Sequence, residues 1–557
     1  MRTWKRLAAL CLSLALAVGL LAGCGGESAP GLSLRISMGP ESGSYDPVRV
    51  SSAEAETVLV HLYENLLRLT PDGSGGTTLA TGVAKKYDVE ENYDGTVTYT
   101  FHLRSAQWSD GRDVTAEDFA YAWRRLADPA TNSPSAALLS AVAGYDEVRS
   151  TGETDKLQVA AADERTFTVT LMGKCDWFLE DVCTDPATMP LRQDVVQRLK
   201  EAAIESNRQA EERGETGTAG WSSDPAKLVT NGPYTVTEHG EGELLLTRSA
   251  TYVGGVQGPE ELRFLFHDTA EDAWAAYDAG EADFAAPLPR AQTEELAERD
   301  WAAVARLSTT ALLFQTQGEN FGDAMARRAF SLAIDREELS TLTDSVTRPA
   351  GGLVPYGVPD ENGEDFRTQG GSLLSGESYE ENLRQARSLL EESSYASTAA
   401  LRLVYENTAE NQALAEALRR MWTKALRVRV ELLPQDDETL RETLRSGDYD
   451  LALAELRGNA RDAESFLARW RSDSADNVVG YENGAYDTLL KVIRSASDEK
   501  ARQGCLHDAE ALLLDSCPVA PLLFSASAWE AREGLVGVLR DGRGFFLFTS
   551  AAESSGA

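Results

Sequence analysis

Residues 401–454 switch repeatedly between two hydrophobic periods, and no other stretch restricts the fold as much. Leu401, Leu403 and Tyr405 share one face of an extended segment. Residues 411–425 take up helical spacing, with Leu414, Ala417, Leu418, Met421 and Trp422 on one stripe. Val428, Val430 and Leu432 return to period two, residues 436–445 are helical again, and residues 449–454 form a third extended run. A β-α-β-α-β order predicts a largely parallel sheet with helices on both faces. Ligands of such sheets sit beyond the carboxyl ends of the strands. That places residues 455–459 at a candidate binding crevice.

A second α/β rhythm runs from 261 to 284: an apolar strand over 262–266, a helix carrying Ala273, Trp274 and Tyr277, and a short strand ending near Phe284. Upstream, Val97, Tyr99, Phe101 and Leu103 alternate as a half-buried strand, and Trp108-Ser109-Asp110-Gly111 turns the chain. Thr115, followed three residues on by Asp118, reads as a helix N-cap before Phe119, Tyr121, Ala122, Trp123 and Leu126. Phe167, Val169 and Leu171 alternate again, so residues 67–224 are mixed strand and helix, with an exposed charged helix and loop over 197–223. Two separate α/β regions predict two lobes, and a cleft between lobes is a preferred ligand position.

The first residues bear on location. Arg2, Lys5 and Arg6 precede an apolar run over 7–21, about 15 residues and short for a membrane span. It ends in Leu21-Ala22-Gly23-Cys24, which resembles a bacterial lipoprotein processing site and implies lipid on Cys24. Residues 24–32 read as a flexible tether. The chain is expected on the outer face of the cytoplasmic membrane, as a lipid-anchored monomer. A net charge of −36 argues against nucleic acid and anionic lipid surfaces as partners.

Two cysteine pairs remain after Cys11 and Cys24. Residues 499–515 read as helical, which sets Cys505 and Cys517 about 18 Å apart at helical rise, too far to bridge. Cys175 and Cys183 are expected as free thiols. The five histidines are scattered without metal spacing, so no metal and no cofactor is expected. Gly-x-Ser-x-Gly, His-Glu-x-x-His and phosphate-loop motifs do not occur, and no catalytic residue is assigned.

Several segments in order resemble one family. They are Tyr45-Asp46-Pro47, Tyr63-Glu64-Asn65-Leu66, Tyr99-Thr100-Phe101-His102-Leu103-Arg104, Trp108-Ser109-Asp110-Gly111 and Val114-Thr115-Ala116-Glu117-Asp118-Phe119. Asp128-Pro129, Ser133-Pro134, Asn231-Gly232-Pro233-Tyr234, Ala279-Gly280-Glu281-Ala282-Asp283, Ala333-Ile334-Asp335-Arg336 and Met421-Trp422 continue the series. The set resembles the oligopeptide- and dipeptide-binding proteins of ABC importers, family 5 of the extracellular solute-binding proteins. The resemblance implies an α/β, two-lobed, periplasmic-binding-protein-like (type II) fold with an extra mixed α/β domain in the first lobe. By it, residues 33–66 and 225–307 form the first lobe, 67–224 the extra domain and 308–525 the second lobe, with 526–557 returning to the first. It implies no enzyme. It implies capture of a short peptide by strand-edge pairing and delivery to permease and ATPase subunits. Individually, the turn and cap residues of these motifs are read as fold determinants.

Carried over by alignment, the first-lobe edge falls on Ser51, Ser52 and Ala53, and the second-lobe edge on Glu455, Leu456 and Arg457. The acid that holds a peptide's amino terminus in the family aligns with Asn459, and Asp462 or Glu455 could substitute for it. A family tryptophan aligns with Leu456, and two basic positions align with Leu453 and Asp344. These departures keep a non-peptide or N-blocked solute, and a peptide-sensing receptor, as alternatives to peptide import.

Overall fold

The computed structural model describes residues 31–554 apart from 51, 72–76, 218–219, 256–257, 344–345, 375–377, 397–398, 459 and 497. The leader, Cys24, Ser51, Asp344 and Asn459 lie outside the described residues. Among those described, no helix is long and apolar enough to cross a membrane.

Two six-stranded sheets organise the chain. The first runs Glu530–Ala531, Phe284–Ala286, Ser33–Met38, Glu261–Phe266, Glu243–Arg248, Tyr234–Gly240. The β-α-β unit read from the sequence is present as Glu261–Phe266, the helix Ala270–Asp278 and Phe284–Ala286. Its two strands are not neighbours, because Ser33–Met38 lies between them and pairs parallel with both. Leu34, Ile36 and Met38 are buried alternately with Ser37, whose hydroxyl donates to the Ala273 carbonyl at 2.8 Å.

The second sheet runs Val346–Pro349, Val519–Ala526, Ala305–Phe314, Leu451–Arg457, Leu401–Glu406, Val430–Gln435. Only the last three strands are mutually parallel; Ala305–Phe314 is antiparallel to both its neighbours. The expected largely parallel sheet is therefore half of a mixed one. Periodicity over 401–454 could not show that strands from 305–314 and 519–526 would extend it. Both faces of this sheet are covered. Leu451 and Leu453 enter one core with Leu312 and Trp422, while Ala452 and Leu456 enter another with Leu313 and Phe466. Burial on both sides explains the continuous apolar run Leu451-Ala452-Leu453-Ala454.

A third, four-stranded antiparallel sheet (Ala84–Glu91, Val97–Leu103, Thr166–Leu171, Val159–Asp163) lies within the extra domain. Its helix Ala116–Ala127 begins with the expected cap: the Thr115 N–H and hydroxyl donate to Asp118 Oδ2 at 2.8 and 3.1 Å. Trp123 packs edge-on to Phe167 and Phe178, and this core is continuous with that of the first sheet. The exposed helix read from 197 begins earlier and spans Gln193–Glu212. Cys175, Cys183, Cys505 and Cys517 are free thiols, and burial pushes those of Cys175 and Cys183 upward.

Candidate functional site

The two lobes face one another across the amino end of the helix Ala53–Leu62 and the carboxyl end of the strand Leu451–Arg457. That strand runs three residues past the end read from the sequence. Residues 455–457 therefore continue the strand instead of forming the crevice loop. Pairing with Leu401–Glu406 covers only Leu451–Leu453, so Ala454–Leu456 have a strand partner, Ala305–Phe314, on one side alone among the described residues. Among the described residues the other side has no strand partner, and such an edge accepts an extended chain.

Alternation along this strand separates its side chains. Leu456 is 6 % exposed and packs with Leu307 and Phe466, so it belongs to the core. Glu455 and Arg457 project to the opposite face, where Glu455 lies 3.3 Å from Arg306 and 2.9 Å from Arg457. Burial opposes the charge of Glu455, but the two guanidinium groups prevail and hold its carboxyl down at about 2. It is a committed anion between two cations.

In the first lobe, Ser52 is extended and caps the helix, its hydroxyl accepting from the Ala55 N–H at 3.2 Å. Ala53 is already the first helical residue. The expected edge over 51–53 thus narrows to the end of an extended segment at a helix start. Glu54 and Glu56 occupy the first turn, where acids complement the helix dipole. Arg306 and Arg457, on neighbouring strands of the second sheet, attract both, yet burial raises both carboxyls, Glu56 to about 7. Glu56 also faces Arg543 of the C-terminal segment, which pairs with Asp185 and, at 2.7 Å, with Asp541. A side chain at Gly542 would come within 2.8 Å of Leu307 and 3.0 Å of Arg461, so this segment also abuts the second lobe.

Asp462 lies elsewhere. Its Oδ2 is 2.9 Å from Arg502 Nη1 and its Oδ1 accepts the Glu464 N–H at 2.8 Å. Arg502 also meets Glu464 at 3.2 Å. The residues aligned with the family's ligand contacts therefore separate: Ser52, Glu455 and Arg457 share the cleft, Leu456 is core, and Asp462 joins a buried ion-pair network. Arg306, Glu54, Glu56 and Arg543 complete the cleft and had no sequence signal beyond the first-turn acids. Among the described residues, no group of three or more His, Cys, Asp or Glu could hold a metal.

Away from the cleft the extra domain touches the second lobe. The Tyr145 hydroxyl donates to Asp476 at 2.7 Å, Arg471 pairs with Asp146 at 2.7 Å, and the Ala475 N–H donates to Asp146 at 3.3 Å. These contacts join the helix Tyr145–Thr151 to the loop around 471–476.

The family described as "Bacterial extracellular solute-binding proteins, family 5 Middle" matches residues 78–477. The dipeptide-binding protein DppE of Bacillus subtilis is 27% identical over 515 residues, covering 91% of this chain and 89% of the relative. The protein described as "Probable deoxycholate-binding periplasmic protein YgiS" of Escherichia coli is 28% identical over 502 residues, 87% of this chain and 86% of the relative. The crystal structure of Haemophilus influenzae OppA in complex with RPPGFSPFR superposes with a TM-score of 0.70 at 24% identity, covering 94% of this chain and 99% of that one.

Proposed function

The chain belongs to the bacterial extracellular solute-binding proteins of family 5, and we propose that it captures short peptides between its lobes and delivers them to an ABC permease. The observation that carries this reading is the open strand edge Ala454–Leu456 in an interlobe cleft. Main-chain pairing there accepts an extended peptide with little demand on its sequence. The dipeptide-binding relative and the peptide-bound OppA structure support the ligand class. Native mass spectrometry of freshly purified protein should show co-purified peptide mass. A ligand mass that no peptide composition fits would overturn the peptide assignment.

A second reading, an N-blocked or non-peptide solute, is favoured by the committed carboxylates. Glu455 is neutralised by Arg306 and Arg457, and Asp462 by Arg502. With Asn459 at the aligned anchor position, neither acid is available for a free ammonium group. The relative named for deoxycholate shows that the family's ligands are not confined by name to peptides. Calorimetry with matched free and acetylated peptides separates the two readings. Equal affinities, with Asn459→Asp shifting preference toward the free amine, support the second. A tenfold preference for the free amine, about 1.4 kcal/mol, would refute it.

The domain division given above, with hinged lobes, is proposed on the same footing, as are a monomeric chain and lipid anchoring at Cys24. Anchoring rests on the basic start, apolar run and Leu21-Ala22-Gly23-Cys24 site. A Cys24→Ala chain should lose lipid labelling and leave the membrane fraction; continued membrane association would refute the anchor.

A further inference from the structure

We propose that Glu406 selects the ligand's charge: the end of the bound peptide that abuts the strand Leu401–Glu406 carries a cationic nitrogen, and this carboxylate meets it. The inference rests on the peptide reading above and adds the class of peptide. Its basis is strand register. Leu403, Val404 and Tyr405 pair with Leu451, Ala452 and Leu453. Leu401–Glu406 thus fills the same side of the strand Leu451–Arg457 that has no strand partner, among the described residues, from Ala454 onward. A peptide adding to that edge lies in line with Leu401–Glu406. The two strands are parallel, so the carboxyl end of Leu401–Glu406 points along that line and the peptide stops there. Ala454–Leu456 offer an edge of about 10 Å, room for about three paired residues at a rise of about 3.3 Å each.

Glu406 is the last residue of its strand and is exposed to solvent. Among the described residues its side chain accepts no hydrogen bond and enters no ion pair. Of the charges around it, Asp437 and Glu455 each act on it more strongly than Arg457 or Arg441, so a cation is favoured there. Both arginines have acids of their own: Arg441 pairs with Asp437, and Arg457 lies 2.9 Å from Glu455. A peptide lying in line with the strand covers Glu406. A neutral end would leave the carboxylate desolvated without a partner, which is costly. A cationic end supplies a charge-assisted hydrogen bond, about twice as strong as a neutral one. An anionic end is disfavoured although two helices, Ala409–Leu426 and Asp437–Ser446, begin just past the strand ends. Glu410, Asp437 and Glu438 already occupy their first turns. Thr408 and Asp436 cap them, accepting the Asn411 and Thr439 N–H at 3.1 and 3.0 Å. The cation has two possible sources, the peptide's amino terminus or a basic side chain on its end residue.

Calorimetry on the full chain at neutral pH tests the assignment and separates the sources. The probes are Ala-Ala-Ala and its N-acetylated form, then Lys-Ala-Ala and Ala-Ala-Lys, each beside its norleucine counterpart. If the amino terminus is the cation, acetylation should weaken Ala-Ala-Ala about tenfold or more. If a side chain is the cation, one of the lysine peptides should bind at least about tenfold more tightly than its norleucine counterpart. In either case Glu406→Gln should abolish the difference. The parent's melting temperature should be kept in this variant, because the Glu406 side chain has no partner to lose among the described residues. A parent that binds these peptides with neither preference, or a preference that survives in Glu406→Gln, would overturn the role of Glu406 and leave peptide capture standing. A parent that binds none of the peptides would refute the peptide reading and this inference with it.

Discussion

Glu56 shows how one side chain acquires its character from a neighbour hundreds of residues away. In the helix Ala53–Leu62 alone it is a first-turn acid, ionised and favourable at the amino end. In the closed cleft burial raises its carboxyl to about 7 despite Arg543 and Arg457. Opening of the proposed hinge would return it toward water and an ordinary carboxylate value of about 4.3. The closed form therefore binds a proton more readily than the open one, and closure takes up a proton between those two values. Ligand affinity should strengthen as pH falls from about 8 to about 6, and the dependence should flatten in Glu56→Gln. Calorimetry at several pH values checks this; an unchanged pH profile in the variant would refute the assignment to Glu56. Glu455 should contribute no such dependence over this range, because Arg306 and Arg457 keep it ionised.

At the scale of the element, the same helix holds the end of the chain. Thr57 and His61 are one turn apart on its buried face. Thr57 Oγ1 accepts the Phe546 N–H at 3.1 Å, and His61 Nε2 accepts the Phe548 N–H at 2.9 Å. Since Nε2 accepts, Nδ1 carries the proton and donates to the Thr57 carbonyl at 2.6 Å. Burial lowers the imidazole to about 4, so the fold holds it neutral. The stability this group confers is fully present above its unfolded value near 6.5 and is lost as pH falls toward 4. His61→Phe retains the ring's bulk and leaves the Phe548 N–H unpaired, at a cost of about 1–3 kcal/mol. Its denaturation midpoint should fall at pH 7, and the gap from the parent should narrow at pH 4. A gap that is constant with pH would show that the ring's protonation plays no part. His61 is fully buried, but its partner, in residues 546–548, had no signal in the pattern.

For the whole molecule, the contacts from the helix Tyr145–Thr151 to the loop around 471–476 should favour the closed form of the proposed hinge without touching the cleft. The Arg471 side chain is 9 % exposed in its pair with Asp146, so breaking the pair leaves a carboxylate in a partly desolvated site. Arg471→Ala should shift the lobes toward the open form and weaken ligand by about tenfold, or about 1.4 kcal/mol. Small-angle scattering at saturating ligand should still report the compact form in the parent, and a larger radius in the variant at equal ligand concentration. Equal affinity and equal radius would show that these contacts are incidental to closure. The two chain crossings suit hinge motion, since the strands Ala305–Phe314 and Val519–Ala526 pair side by side and Ala305 meets Ala526 at the end where the chain passes between lobes.

Local periodicity determined which segments became strands and helices. The alternation of Val97, Tyr99, Phe101 and Leu103, the stripe from Leu414 to Trp422 and the cap at Thr115 are each satisfied within about twenty residues of chain. Turn chemistry determined the Asn231-Gly232-Pro233-Tyr234 corner as well: Asn231 exchanges hydrogen bonds with the Glu64 backbone at 3.1 and 3.0 Å, and Gly232 lies where any side chain would strike Leu62. Order along the chain was enough to indicate the family. Tertiary structure alone decided that Ser33–Met38 would part the strands of a β-α-β unit, and that an antiparallel half would complete the second sheet. It alone decided that Asp462 would turn to Arg502 while Glu455 turned to Arg306 and Arg457. The physical reason is range. Period and capping are written in neighbouring residues, whereas strand order and the partner of a charge depend on which distant surfaces exclude water together, and one-dimensional spacing carries no record of that.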